Sequence, residues 1–268
     1  MKRILHISDL HLPARREGQV AALADAVARL RADLLVVSGD LTRRGSRKEF
    51  AAAAEFLSAL PKPQLVIPGN HDVPLFPLTR MTRPFRRYRK ALTEDLAPLH
   101  VDDEIAVAGL NTSRGVQARL DWSLGRISGR AVRRATERLS AVPTDRTRIA
   151  VTHHPLAPDI ADLRRSQVRG AASAVTSLAL AGVGIMLHGH LHRPRVDVVD
   201  VASRKVVMVG ATTALSDRER GGGSGFNVLD IVDGVLTVAE SRWNGTSYEL
   251  EPPRPVPVGA SPVVAQPV

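Results

Sequence analysis

Residues 33–50 read DLLVVSGDLTRRGSRKEF and combine a short apolar run, a polar loop and the start of a helix. The apolar run is typical of a buried strand from Asp33 to Ser38. Ser46 and Glu49 have the spacing of a capping box, which predicts a helix that continues to Leu60. The stretch is therefore a complete β-loop-α unit.

Similar units flank this one in the sequence. A predicted strand from Ile4 to Ile7 precedes a predicted helix from Gly18 to Arg31. A third predicted strand, from Gln64 to Ile67, runs into the polar residues 68–72. Consecutive units of this kind favour an α/β fold with a parallel or mostly parallel sheet.

The chain changes character after Arg195. Runs with alternating β-branched residues follow, joined by turn signals such as Asp233-Gly234, and these predict an antiparallel second sheet. From residue 251 the composition shifts to Pro and Val with few charges. We therefore expect one domain over residues 1–250 and a loosely draped tail over residues 251–268.

Composition limits the possible chemistry and partners. The chain has 268 residues, 44% hydrophobic and 3% aromatic, so Val, Leu, Ile and Ala must build the core. Its formal charge of +10 comes mostly from arginine and should attract anions. The alternative is that these arginines only cover solvated faces, which would give the same net charge. There is no cysteine, which excludes disulfides and thiolate ligands. No apolar run has the length of a signal peptide core or a membrane span, so we expect a cytoplasmic, soluble protein.

Five clusters of Asp, Asn and His lie where a predicted strand gives way to a loop. Loops at the carboxyl ends of strands in an α/β sheet converge on one crevice, so residues far apart in sequence can meet there. Residues two apart can point to the same side of an extended or turning loop and bind one ion together. The clusters are Asp9-Leu10-His11, Gly39-Asp40, Gly69-Asn70-His71-Asp72, Thr152-His153-His154-Pro155 and Gly189-His190-Leu191-His192.

These residue types predict a metal centre. Carboxylate oxygens and imidazole nitrogens together suit divalent or transition-metal ions such as Mn, Fe, Zn, Co or Ni. The candidate ligands are Asp9, His11, Asp40, Asn70, His153, His190 and His192. One ion rarely takes so many ligands of this kind, whereas two ions that share a carboxylate need about this number. We therefore predict two ions, with Asp40 as the shared ligand.

A two-metal centre predicts a phosphoester hydrolase. Two ions roughly 3.5–4 Å apart can lower the pKa of a shared water, orient the resulting hydroxide and neutralise charge on phosphoryl oxygens. The departing alkoxide then needs a proton, and His71, which is not needed as a ligand, could supply it. Asp72 could orient that imidazole or raise its pKa by charge pairing.

Each cluster taken alone has a structural explanation. Gly39-Asp40 and Gly69-Asn70 are turn signals, and an Asp-x-His pair is often a helix cap followed by a surface histidine. Turns do not require histidine in five such places, so the clusters taken together favour the metal.

The other histidines receive different interpretations. His6 and His188 lie on predicted strands and are expected in the core or in the layer behind the ligands. His154 either supports a neighbouring ligand or simply packs before Pro155. His100 is expected at the surface.

The order of the clusters resembles the calcineurin-like metallophosphoesterase family, and most of all its bacterial cyclic-nucleotide and glycerophosphodiester phosphodiesterase branch. The match runs from Asp9 to His192, and the β-rich remainder to about Arg242 fits that family's second sheet. The resemblance implies a four-layer α/β/β/α sandwich of two packed mixed sheets flanked by helices. It also implies that His71 takes the family's proton-donor and phosphate-binding place.

The resemblance further implies a ligand set for each ion. The first ion would be held by Asp9, His11, Asp40 and His192. The second would be held by Asp40, Asn70, His153 and His190.

Several substrates remain open. The leading interpretation is a phosphodiesterase that acts on a cyclic nucleotide or a small phosphodiester. A lipid-linked pyrophosphatase of envelope biosynthesis and a non-catalytic metal-bound scaffold are the alternatives. A DNA nuclease is disfavoured because such relatives usually add a capping or dimerisation domain, so no stable nucleic-acid complex is expected.

Residues 80–90 concentrate cations and aromatic residues just after His71. The segment could bind a second phosphate, stack on a nucleobase or contact an anionic membrane surface. The alternative is an arginine-studded helix face with Phe85 and Tyr88 in the core at a spacing of three.

Overall fold

The apolar runs form two sheets that pack face to face, with helices on the outer face of each. The computed structural model describes residues 1–14, 17–117, 121–158, 162–215 and 223–256. The first sheet has seven strands and the second has six. The α/β class and the four-layer α/β/β/α sandwich that the resemblance implied are confirmed.

The helices and strands alternate through the first half of the chain, and strands dominate the second half. Their bounds are β1 Lys2–Ile7, α1 Glu17–Arg29, β2 Leu34–Val37, α2 Arg47–Ala59, β3 Gln64–Val66, α3 Pro77–Thr82, α4 Arg86–Ala91, β4 Leu99–Val101, β5 Ile105–Leu110, α5 Gly129–Ser140, β6 Thr147–Thr152, α6 Ala171–Leu180, β7 Val183–His188, β8 Arg195–Val201, β9 Arg204–Gly210, β10 Gly225–Val232, β11 Val235–Trp243, β12 Tyr248–Leu250 and β13 Arg254–Val256.

Each sheet contains both parallel and antiparallel strands: the parallel strands lie at one edge of the first sheet and in the centre of the second. The first has the order β12-β11-β10-β1-β2-β3, with β13 also paired to β11, and β1, β2 and β3 are parallel. The second has the order β4-β5-β6-β7-β9-β8, in which β5, β6, β7 and β9 are parallel. The carboxyl ends of the parallel strands carry the predicted clusters.

The central strands are buried on both faces, which explains their unbroken apolar runs. In β2, Leu34 and Val36 belong to the core between the two sheets. Leu35 and Val37 pack on the other side, in the core that the first sheet shares with α1 and α2. The capping box predicted at the start of α2 is present, because Ser46 Oγ accepts from the Glu49 N–H and the Glu49 carboxylate accepts from the Ser46 N–H.

The prediction that the strands after Arg195 form a separate antiparallel sheet is wrong. Strands β8 and β9 form a hairpin that joins the second sheet, because β9 pairs with β7 in parallel. Strands β10 and β11 form another hairpin that joins the first sheet, because β10 pairs with β1. Hairpin pairing is local and readable from turns, whereas the sheet that a hairpin extends depends on long-range contacts.

Three smaller differences concern the ends of elements. The sequence from Ser166 to Ala181 predicts one helix, but α6 begins only at Ala171, after Gly170 in the left-handed region at φ 87°. Residues 77–91 form two short helices. Strand β13 occupies the start of the expected tail, and residues 257–268 lie outside the described residues. Within the described ranges, no helix has the length and apolarity needed to cross a lipid bilayer.

Candidate metal centre

The predicted clusters meet at one end of the molecule, where the parallel strands of both sheets finish. Side by side in the first sheet, the Asp9 N–H donates to Gly39 O and the His11 N–H to Asp40 O, each at 3.0 Å. Across the two sheets, the His190 N–H donates to Asp9 Oδ2 at 3.0 Å. The ligands thus come from two sheets, and not from the single crevice of one sheet that the sequence suggested. All seven predicted ligands are buried.

One half of the centre contains Asp9, His11 and His192. Asp9 Oδ1 lies 3.0 Å from His192 Nε2 and 3.8 Å from His11 Nε2, and the two Nε2 atoms lie 3.4 Å apart. Asp9 Oδ1 is buried and makes no hydrogen bond within the described part of the chain. A buried carboxylate oxygen without a hydrogen bond costs free energy, so this cluster of donors fits a cation.

The other half contains Asp40, Asn70, His153 and His190. Asp40 Oδ2 lies 3.3 Å from His153 Nε2, which lies 3.1 Å from Asn70 Oδ1. His190 Nε2 is buried and has no hydrogen-bond partner among the described residues. Asp40 Oδ2 also lies 3.9 Å from His11 Nε2, so this oxygen stands between the two halves.

Backbone carbonyls orient two of these imidazoles. His153 Nδ1 lies 2.9 Å from Ser38 O, and His11 Nδ1 lies 3.2 Å from Thr42 O. A carbonyl oxygen can only accept, so each Nδ1 carries the proton and each Nε2 directs its lone pair into the centre. The roles of Ser38 and Thr42 could not be predicted from the sequence, because every residue has a carbonyl and no side-chain signal marks the useful ones.

The electrostatics of the centre favour a cation. Burial opposes ionisation of Asp9 and Asp40, but the positive charge of neighbouring imidazoles outweighs it and lowers the pKa of both carboxyls. Burial lowers the pKa of His153, yet the charge of Asp40 raises it overall to about 9, so Nε2 beside Asp40 favours a positive charge, which a proton supplies and a metal ion would replace. Burial and the neighbouring imidazoles lower the pKa of His190 well below its usual value. Anionic carboxylates and a neutral imidazole are the forms that bind metal ions.

Five of the seven predicted ligands have a left-handed backbone, although none of them is glycine. This backbone conformation costs about 1–3 kcal/mol for each non-glycine residue, and it persists only where the surrounding structure holds the residue in it. Clustering of this strain at one place indicates a site whose geometry has a function. The residues are Asp9 (φ 53°), His11 (φ 49°), Asp40 (φ 53°), His190 (φ 70°) and His192 (φ 56°).

Gly39 provides a test of how tightly the centre is packed. Its φ is +99°, and a Cβ atom there would lie 2.7 Å from Gly69 N and 2.8 Å from His153 Nδ1. We expect Gly39→Ala to lower the free energy of unfolding by more than the roughly 1–3 kcal/mol of backbone strain, and to weaken metal binding because His153 must move. Chemical denaturation and elemental analysis measure the two effects.

Gly234→Ala is the matched control for this change. Gly234 has a φ of +78°, but a Cβ there would meet nothing within 4 Å. This variant should therefore show the backbone strain alone and keep its metal. Equal losses of stability in the two variants, with unchanged metal content, would contradict the close approach of Gly39 to His153.

The structure places His71 at the edge of the centre and gives Asp72 a different role from the expected one. His71 Nδ1 lies 2.7 Å from Arg43 O, so Nε2 is the nitrogen available for proton transfer. The buried Asp72 carboxylate accepts from the N–H groups of Gly69, Leu41 and Thr42 and from the Thr42 hydroxyl. None of its hydrogen bonds within the described ranges reaches the His71 ring.

Asp72 therefore fastens the loops that carry the ligands, and the predicted charge pair with His71 does not form. The pKa of Asp72 is raised to about 6, first by burial and then by the negative charge of Asp40. Its four donors are backbone or hydroxyl groups of the loops after β2 and β3. The Gly-Asn-His-Asp pattern marks Asp72 as a candidate functional acid, but it does not reveal that the carboxylate of Asp72 accepts hydrogen bonds from backbone N–H groups.

His154 supports the centre without being a ligand. Its ring atoms lie within 4.8 Å of those of His153 and His190, which would permit a shared ion. However, Nε2 lies 2.8 Å from Ser123 O, and Nδ1 lies 2.8 Å from Thr112 Oγ1. Both ring nitrogens are thus engaged, and the ring packs against His190 at 4.5 Å between centroids.

The remaining histidines largely match their interpretations. His6 is buried on β1 with Nε2 2.9 Å from Ser38 Oγ, and Ser38 O in turn contacts His153, so His6 lies behind this candidate ligand. His188 is buried at the end of β7. His100 is half-buried on β4 beside Asp102, at 3.3 Å, and is less exposed than expected.

Comparison with known proteins agrees with this geometry. The family model described as calcineurin-like phosphoesterase matches residues 2–194. Over 80 residues the chain is 40% identical to the glycerophosphodiester phosphodiesterase GpdQ of Enterobacter lignolyticus (strain SCF1), a match that covers 26% of this chain. The chain therefore spans only 29% of the length of that relative.

Solved structures share the fold across almost the whole chain. A dimetal phosphatase from Danio rerio superposes with a TM-score of 0.65 at 14% identity, and the match covers 97% of this chain and 99% of that one. The purple acid phosphatase PPD1 from yellow lupin seeds also gives a TM-score of 0.65 at 14% identity, over 93% of this chain and 53% of that one. At such identities these likenesses concern the fold.

Proposed function

Because the chain belongs to the calcineurin-like phosphoesterase family, as the match over residues 2–194 shows, we propose that it is a two-metal phosphodiesterase. The observation that carries this proposal is the convergence of all seven predicted ligands in one buried cluster with His71 at its edge. The substrate class is a cyclic nucleotide or a small phosphodiester. The match to GpdQ over part of the chain supports a diester over a monoester.

Each ion would be held by one half of the cluster. Asp9, His11 and His192 would hold the first, Asn70, His153 and His190 the second, and Asp40 would be shared. Divalent ions such as Mn, Fe, Zn, Co or Ni would supply Lewis acidity towards the phosphoryl group and a water of lowered pKa.

The residues of the chain orient this chemistry and move one proton. A hydroxide oxygen, from a water that has released one proton to solvent, forms a bond to phosphorus, and the bond from phosphorus to the departing oxygen breaks. That oxygen takes the Nε2 proton of His71 in its doubly protonated imidazolium form, whose Nδ1–H donates to Arg43 O at 2.7 Å and holds the ring. A positioned acid of this kind typically increases the reaction rate by roughly 10²–10⁴-fold.

Turnover of paired substrates tests the proposal. With Mn²⁺ added, the protein should hydrolyse bis-p-nitrophenyl phosphate and cyclic AMP faster than the monoester p-nitrophenyl phosphate, and elemental analysis should find close to two ions per chain. A preference for the monoester would identify a phosphomonoesterase instead. Absence of turnover with every divalent metal tried would favour the non-catalytic scaffold.

A lipid-linked pyrophosphatase is the second candidate. The observation that favours it is the exposed apolar segment at residues 75–81, which follows His71 closely in the chain. Activity on a lipid-linked pyrophosphate that exceeds activity on water-soluble diesters, and that requires detergent or vesicles, would support this candidate.

A further inference from the structure

Four large apolar side chains are exposed within seven consecutive residues. Leu75, Phe76, Leu78 and Met81 are 58%, 63%, 65% and 61% exposed. Leu78 and Met81 are three residues apart in α3, so they lie on the same face of that helix. A concentration of exposed apolar side chains of this size is typical of a contact surface.

The segment is held firmly by other residues. Arg80 is only 5% exposed, its Nε donates to Gly115 O at 2.8 Å, and its guanidinium lies 5.0 Å from the ring centroid of Trp122. In α4, Tyr88 is buried and its hydroxyl donates to Val66 O at 3.0 Å. The four apolar side chains therefore face solvent on an anchored segment.

The aromatic residues that could have stacked on a base are not accessible. Phe85 and Tyr88 are both buried, as the structural interpretation of residues 80–90 expected. Of the three aromatic residues in residues 73–93, Phe76 is the exposed one, and it lies outside residues 80–90. Nucleotide stacking on Phe85 or Tyr88 is thus excluded.

Basic residues follow the exposed apolar residues closely in the chain. Residues 73–93 contain six basic residues and no acidic one. Arg83, Arg86 and Lys90 are exposed. Next to them, a cavity of about 500 Å³ between α2 and α4 is lined by Arg47, Phe50, Thr79, Arg86, Arg87 and Lys90.

We propose that residues 75–90, which we call the docking segment, bind the surface of an anionic lipid bilayer. Apolar side chains beside arginine and lysine are the combination that enters the interfacial region while the cations contact lipid phosphates. A second copy of the chain fits less well, because a two-fold contact through this surface would bring the same cations together. Docking would leave His71, four residues before Leu75, close to the bilayer.

Vesicle flotation with the full chain tests the docking segment. The protein should float with vesicles of phosphatidylcholine mixed with phosphatidylglycerol, less with phosphatidylcholine alone, and less as salt is added. The double variant Phe76→Ser/Leu78→Ser should partition at least about tenfold less, since two apolar anchors are lost. Arg86→Glu/Lys90→Glu should lose the preference for anionic vesicles.

Leu180→Ser is the matched control, because Leu180 is 59% exposed at the end of α6 in the other helical layer. It should float like the unaltered protein, and all variants should keep their turnover of a water-soluble diester. Failure of the unaltered protein to bind vesicles, or undiminished binding by Phe76→Ser/Leu78→Ser, would overturn the proposal. The proposal would also be overturned if light scattering showed that the unaltered protein is a dimer that does not bind vesicles, and that Phe76→Ser/Leu78→Ser dissociates this dimer. That result would assign the surface to a second copy of the chain.

Discussion

Asp40→Asn is expected to lose metal from both halves of the centre and to lower turnover by more than the roughly 10–100-fold that loss of an outer partner causes. Asp40 Oδ2 lies 3.3 Å from His153 Nε2 and 3.9 Å from His11 Nε2, between the two halves. An asparagine can still accept the His71 N–H at Oδ1, where the distance is 2.8 Å. It cannot supply the negative charge at the second position.

Elemental analysis and turnover of bis-p-nitrophenyl phosphate measure these losses on one sample. Asp200→Asn is a suitable control, because this exposed carboxylate on β8 pairs with Lys205 at 3.3 Å on the surface. It should keep metal and activity. An Asp40→Asn protein that retained two ions per chain would refute the shared position of Asp40.

His71→Ala is expected to keep its metal and to lose roughly 10²–10⁴-fold in turnover of diesters with poor leaving groups. His71 is not one of the seven predicted ligands, so removal of its side chain removes the Nε2–H donor of the imidazolium and leaves those ligands in place. Its Nδ1–H is engaged by Arg43 O. A p-nitrophenolate leaves without needing a proton. The loss should therefore be much smaller with bis-p-nitrophenyl phosphate than with a dialkyl diester.

The comparison of leaving groups separates proton donation from a structural effect. His100→Ala, at a half-buried histidine on β4 beside Asp102, should change neither substrate's rate nor the metal content. Equal losses on both substrates in His71→Ala would give His71 a role in binding or orientation. Unchanged rates would remove it from the reaction.

Much of the centre was predictable because its chemistry belongs to side chains. Asp, Asn and His residues at the ends of predicted strands indicate candidate metal ligands, and seven such residues lie buried in one cluster. The carbonyls of Ser38 and Thr42 that fix the imidazoles could not be predicted, since every residue carries a carbonyl. The role of Asp72 was misjudged because its partners are backbone N–H groups of other loops.

The docking segment likewise has features that the sequence predicts and features that depend on tertiary contacts. Its charges were evident in the sequence, and spacing allowed Phe85 and Tyr88 to be buried. The burial of Arg80 depends on Gly115 and Trp122, which are far away in sequence. Local pattern cannot reveal which of two neighbouring residues finds such a partner.

The sequence by itself determined the β-loop-α units, the capping box of α2 and the candidate metal ligands, because apolar periodicity, cap spacing and ligand chemistry act over a few neighbouring residues. Tertiary structure alone decided that β8 and β9 extend one sheet while β10 and β11 extend the other. It also decided that both sheets contribute ligands to one centre. The physical reason is that contacts between segments distant in sequence decide which strands pair and how the two sheets approach each other. In those contacts the core between the sheets must be filled, and buried polar groups must find partners.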